Sequence, residues 1–319
     1  MKKIIGLLLI TTLFNACDDG DVQIETVDLS DATTKICSNN ILYQISDNKA
    51  MFMQLKSEDF TDAFTNVIGA RSKTIDNSNN KLIYRIYNGT AVEANICADI
   101  QPINPITTEE WVAESGNLFI TTSPIYDENE TTKLKKITKY KHAMVLQNIG
   151  WKRPDGNIQQ EYERPFGNYQ TDANQISLTF DVDDLVKSIC DKSIYTTGGS
   201  ESMQLKFDDT TYNQLFPAVS VVGIKTATLT DSNKLTFTLY NTLVTNDNFC
   251  STTAFPVVKE LWLSDNGTAT TGIIEVITEV YGTTQFKYIV SLKATTLKRG
   301  TNDLYLGTSY KLGEFISSN

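Results

Sequence analysis

A single histidine, His142, serves this chain of 319 residues. Nucleophilic catalysis by a Ser-His-Asp or Cys-His set needs a positioned imidazole base, so the chain has one place at most for it. The same scarcity, with widely spaced cysteines, removes any clustered zinc ligand set. Positive charge is also short: 28 Lys and Arg face 38 Asp and Glu, a net charge of −10. Nucleic-acid binding rests on clustered cations that neutralise phosphates, so that class is excluded. Long apolar runs are missing too. After the first sixteen residues no run has the length of a bilayer-crossing helix. At 40 % apolar and 21 % charged the rest is globular, with room for two domains.

The N-terminus carries the one apolar run. Met1-Lys2-Lys3 is basic, and Ile4 to Phe14 is uncharged and mostly apolar. As a helix that run spans about 16 Å, half of a hydrocarbon core, which suits the central region of a secretory signal. It ends in Leu13-Phe14-Asn15-Ala16-Cys17, and a small residue followed by Cys resembles the lipobox of bacterial lipoproteins. Phe14 and Asn15 stand where Leu and a small residue are commonest. The resemblance implies removal of residues 1–16, lipidation of Cys17 and stable anchoring in a membrane. Asp18-Asp19-Gly20-Asp21 is similar to the acidic tether of Bacteroidota surface lipoproteins, which implies an outer-membrane anchor with cell-surface exposure. Physically, residues 17–21 are a solvated leash.

Four cysteines remain, and they are evenly placed. Cys37 to Cys97 spans 60 residues, and so does Cys190 to Cys250. Equal spacing prompts a search for a repeat. Met53-Gln54-Leu55-Lys56 recurs as Met203-Gln204-Leu205-Lys206. Asn80-Lys81-Leu82 recurs as Asn233-Lys234-Leu235, and Tyr87-Asn88 as Tyr240-Asn241. Trp111 matches Trp262, Glu109 matches Glu260, and Lys152-Arg153 matches Lys298-Arg299. The expected organisation is a tandem duplication, residues 22–172 and 173–319, the second domain an internal duplicate of the first. Since each copy should carry the same bridge, Cys37–Cys97 and Cys190–Cys250 are favoured among the three possible pairings. An exported compartment permits them.

The pattern reads as mainly β. Lys81 to Tyr87 follows an Asn/Ser turn and is rich in branched and aromatic residues. Lys234 to Tyr240 alternates, with Leu235, Phe237 and Leu239 on one face. Ile273 to Tyr281 and Gln285 to Leu292 read as strands joined by Gly282-Thr283-Thr284, and Asp265-Asn266-Gly267 reads as a hairpin turn. Short helices are expected after Ser57 and Asp208, with those residues as caps and Pro217 ending the second. The fold class is mainly β: two tandem antiparallel β-sandwich-like domains, each with one disulfide.

Candidate chemistry is sparse. His142 is replaced by Tyr288 in the second repeat and reads as a surface or half-buried strand residue. Glu109, Glu110 and Glu114 lie near Trp111; they and Glu260, the partner of Glu109, read as solvent-facing strand residues, and they are also the carboxylates a glycoside hydrolase would use. Asp181, Asp183 and Asp184 lack the spaced pattern of a calcium loop. The tryptophans read as core. Lys133, Lys135, Lys139 and Lys141 share one face if that stretch is extended. They read as the guard of an edge strand or as a site for an anionic partner. No cofactor, metal or catalytic residue is expected. The expected function is a non-enzymatic interaction module, an accessory subunit of an outer-membrane protein complex. The alternatives are a glycan- or nutrient-binding surface protein and a carboxylate-based glycoside hydrolase.

Overall fold

A computed structural model describes residues 27–29, 32–38, 40–65, 71–76, 78, 80–250 and 254–318. The expected signal segment, Cys17 and the expected acidic tether lie outside the described residues. The chain is mainly β, with 54 % of it in strands and 6 % in helices, and it carries two disulfides. In chain order the strands are β1 (Lys35–Ile36), β2 (Ile41–Ser46), β3 (Lys49–Gln54), β4 (Ser72–Thr74), β5 (Leu82–Tyr87), β6 (Thr107–Glu128), β7 (Leu134–Lys152) and β8 (Ile158–Asp172). They continue as β9 (Val186–Lys187), β10 (Ser193–Gly198), β11 (Glu201–Lys206), β12 (Gly223–Thr228), β13 (Lys234–Tyr240) and β14 (Val258–Ser264). The last are β15 (Ile273–Tyr281), β16 (Gln285–Lys293), β17 (Thr296–Arg299), β18 (Asn302–Leu306) and β19 (Ser309–Ser318).

The pairing follows one plan twice. A hairpin, β2-β3, receives β5 and then β6, all antiparallel; β10-β11 receives β13 and then β14 in the same way. The short strand β4 pairs with the far part of β6, as β12 pairs with β15. The halves differ in how the chain leaves the first sheet. Strand β6 runs straight through and bends at bulges around Ser115. Gly116 sits there at φ 136°, and a Cβ at that position would strike the Ile149 side chain, so the bend requires glycine. In the second half β14 stops at Ser264 and β15 starts at Ile273 in the other sheet. Asp265-Asn266-Gly267 is therefore a crossing between sheets, not the expected hairpin turn. Gly267 donates its N–H to the Leu229 carbonyl at 2.7 Å in this crossing.

Burial explains the strands. Leu235, Phe237 and Leu239 enter the core as alternation requires, but Thr238 and Tyr240 on the opposite face are buried as well. Tyr240 packs with Tyr195, Val244 and Phe249, under the loop that the Cys190–Cys250 bridge staples down. Cys37–Cys97 does the same over Tyr43, Tyr87 and Ile96. Both bridges pair as expected. The helix Asp209–Leu215 is capped by Asp208, which accepts the Thr211 N–H at 2.7 Å, and it ends before Pro217. Ser57 does not cap: it opens a 3₁₀ turn, Ser57–Asp59, and Asp59 accepts the Lys56 N–H at 3.0 Å.

The halves are joined through the sheet. The end of β18 pairs with the start of β7, Tyr305 opposite Lys135 and Leu306 opposite Leu134. Ile137 and Tyr140 of β7 enter the core of the second half. The Tyr140 hydroxyl accepts from Arg299 Nη2 at 3.0 Å and Asn302 Nδ2 at 3.2 Å. Burial pushes the Tyr140 phenol up to about 12 against the opposing Arg299 charge, so it stays protonated.

Candidate functional site

The carboxylates singled out near Trp111 hold structural contacts. Glu109 accepts the Trp111 indole N–H at 2.6 Å, and Arg153 lies 3.8 Å from its carboxylate and 4.8 Å above the Trp111 ring. Glu260, Trp262 and Arg299 repeat the arrangement at 2.8, 3.3 and 5.4 Å. Glu260 is buried, contrary to the solvent-facing position its strand pattern suggests. Glu110 holds Arg85 and Glu114 holds Lys152, each at 2.6 Å. Trp111, Trp151 and Trp262 are core residues. Asp181 closes a turn by accepting the Asp183 N–H.

His142 is not a surface residue. It is fully buried, with its ring nitrogens 2.8 Å from the hydroxyls of Thr122 and Thr171 and its ring edge-on to Phe60. Tyr288 takes the matching place against Phe216. Arg71 also reaches the Thr122 hydroxyl. Burial, with Arg71 nearby, pushes the imidazole down to about 4. The unfolded chain would bind a proton near pH 6.5 that the folded one refuses. Stability is then expected to fall between pH 6.5 and about 4, and to level off below, by about 3 kcal/mol from this group. Urea unfolding at pH 7 and pH 4.5 checks this: His142→Gln should lose that share of the pH dependence. An unchanged dependence in the variant would contradict it.

The lysines do not form one row. Lys133 sits in a turn at φ 62° and lies 3.6 Å from Glu128. Lys135 stands over the Tyr126 ring at 4.2 Å, while Lys139 and Lys141 are exposed, Lys139 being 3.9 Å from Asp172. A bulge causes the split: Ile125 faces Lys139 while Tyr126 faces Ile137, so alternation slips at Thr138. Nor is β7 an edge strand. It lies between β6 and β8, and its start pairs with β18.

Two surface features stand apart from these structural contacts. The first is β12, the end strand of its sheet, with Val221 and Val222 exposed just before it and Ile224 65 % exposed within it. Gly223 faces Thr278, so the valines run on toward exposed Val280 and Tyr281 at the same end of the sheet. Gln214 of the preceding helix reaches only the far part of β12, at the Thr226 carbonyl. In the first half, β4 is half as long and polar, and its Lys73 is held by Asp59 at 2.5 Å. The second feature is a cleft of about 240 Å³ at the junction of the halves, lined by Tyr126, Lys135, Thr296, Asp303 and Tyr305.

The chain matches no family model, no curated protein and no solved structure.

Its site must therefore be argued from its own residues. Sequence reasoning missed both features. The Val221-Val222-Gly223-Ile224 run after Pro217 was a usable signal, being a short apolar stretch with no polar alternation. The cleft had none, because its two tyrosines come from different halves.

Proposed function

We propose that this chain is a surface-exposed outer-membrane lipoprotein, anchored through Cys17, that acts as a non-enzymatic interaction module and accessory subunit of an outer-membrane protein complex. It consists of two homologous β-sandwich-like domains, residues 22–172 and 173–319. The matched Glu-Trp-Arg contacts and the matched disulfide loops support the duplication. The observation that carries the function is the open β12 edge. An edge strand offers a row of unpaired backbone groups, and proteins usually guard it with charge or short length. Here the exposed pair Val221-Val222 leads into a six-residue β12 that exposes Ile224 beside Lys225, while its counterpart β4 is half as long and has no apolar residue. The occupant is an extended segment of an outer-membrane protein, added as one more strand. Backbone hydrogen bonds would hold it, and Val222 and Ile224 would select its alternate side chains.

The test is purification of the tagged, lipidated chain from outer membranes in mild detergent. A stoichiometric outer-membrane partner is expected with the wild type, and is expected to be lost from the Val222→Lys/Ile224→Lys double variant. A partner retained by that variant, or absent from the wild type, would overturn the reading.

A further inference from the structure

The junction cleft is built around Tyr305. Leu304 and Leu306 on either side of it are buried, so alternation along β18 turns Tyr305 outward. It lies in register between Thr296 of β17 and Lys135 of β7. The cleft of about 240 Å³ adjoins a second of about 190 Å³ that runs to Asp265, and the two share Thr296 and Tyr305.

The polar groups here retain binding capacity. The Trp111, Trp151 and Trp262 indoles and the Tyr43, Tyr140 and Tyr288 hydroxyls all have side-chain partners within the protein. Among the described residues the Tyr305 hydroxyl has none, its ring faces no cation or second ring, and the Asp303 carboxylate holds no ion pair. Tyr126 differs, because the Lys135 ammonium covers its ring. Lys298, the cation nearest Asp303 in the ladder, is engaged by Asp265 at 2.9 Å.

This combination selects a ligand class. A half-buried tyrosine ring offers a flat apolar face. Around it stand a carboxylate acceptor, a threonine hydroxyl and an ammonium donor, the few placed polar groups that orient a small molecule, while the Tyr126 hydroxyl is engaged by the Asp303 backbone. A pyranose ring has the matching surface, with C–H groups on one face and hydroxyls around the rim. Two adjoining hollows that share one aromatic suit two consecutive rings. With the Asp303 carboxylate open to the cleft, a negatively charged sugar is disfavoured. We propose that the junction cleft binds a neutral oligosaccharide, two rings of it seated on Tyr305, with Asp303, Thr296 and Lys135 bonding its hydroxyls.

Both halves supply this site. In the first half the position of Tyr305 in the ladder is held by Gln160 opposite Gly150, so the cleft has no counterpart there. It is also separate from the β12 edge, so the Val222→Lys/Ile224→Lys variant should bind sugar as the wild type does.

Titration calorimetry on the full chain tests the proposal, with maltose, cellobiose, mannobiose and N,N′-diacetylchitobiose as neutral probes and digalacturonic acid as the anionic one. At least one neutral disaccharide is expected to bind with a Kd on the order of 1 mM. Tyr305→Ala should weaken that binding more than tenfold, and Asp303→Ala should weaken it as well. Tyr305→Trp should keep it, and Tyr162→Ala, on an exposed tyrosine elsewhere, should leave it unchanged. No binding of any neutral probe would overturn the proposal. So would wild-type affinity in Tyr305→Ala, or binding of digalacturonic acid alone.

Discussion

Replacing Glu260 by alanine is expected to destabilise the protein by about 2–4 kcal/mol, because it leaves buried donors unpaired and takes the counter-ion from Arg299, which is 26 % exposed. The Glu260 side chain is 3 % exposed and meets Arg299 at 3.3 Å, the Trp262 indole at 2.8 Å and the Asn174 amide at 2.8 Å. Removing it leaves a guanidinium and two donors without their acceptor. Glu109 makes the equivalent contacts to Trp111 and Arg153, but its side chain is 25 % exposed, and water can replace part of what is lost. Glu109→Ala should therefore cost about 1–2 kcal/mol. The contrast has a structural cause: Asn174, at the start of the second half, bonds Glu260, and Tyr140 from the first half closes over Arg299. Urea unfolding of both variants checks it. Equal, small losses would show that the junction contributes little to burying Glu260.

Loss of either disulfide should be of similar size. Each bridge closes 60 residues, and the chain-entropy model gives about 4 kcal/mol for such a loop. The native state is affected as well. The loop ending at Cys250 keeps Phe249 stacked on Tyr195 at 4.0 Å, and that pair caps the outer face of the sheet. Cys190→Ser/Cys250→Ser and Cys37→Ser/Cys97→Ser should each lower stability by this amount, and reductant, which opens both bridges, should bring the wild type below either variant. A loss under about 1 kcal/mol would mean that loop packing, not the crosslink, holds these segments.

Much of the fold was legible where one face of a strand is buried and the other is wet. Strand β13 and the β15–β16 hairpin follow from alternation and a glycine-containing turn. The disulfide pairing follows from the equal 60-residue spacing of the two cysteine pairs. The sequence pattern failed where a local irregularity reset it. The Thr138 bulge split the lysine row, and Asp265-Asn266-Gly267 has the chemistry of a hairpin turn but serves to change sheets. His142 looked like a surface or half-buried residue because four lysines of its strand, Lys135, Lys136, Lys139 and Lys141, lead up to it. Its burial depends on Phe60, Thr122 and Thr171, which come from three other segments. The junction cleft was out of reach for the same reason: Tyr126 and Tyr305 meet only because the halves share a ladder.

On the proposed function, the β12 edge receives a strand from an outer-membrane protein. A photo-cross-linking residue at position 224, introduced into the lipidated chain in living cells, tests it most directly. The expected result is one predominant adduct with an outer-membrane protein, mapped to an extended segment, lost on Val222→Lys and absent when the probe sits at exposed position 268. No adduct at 224, or the same adducts from both positions, would contradict the account.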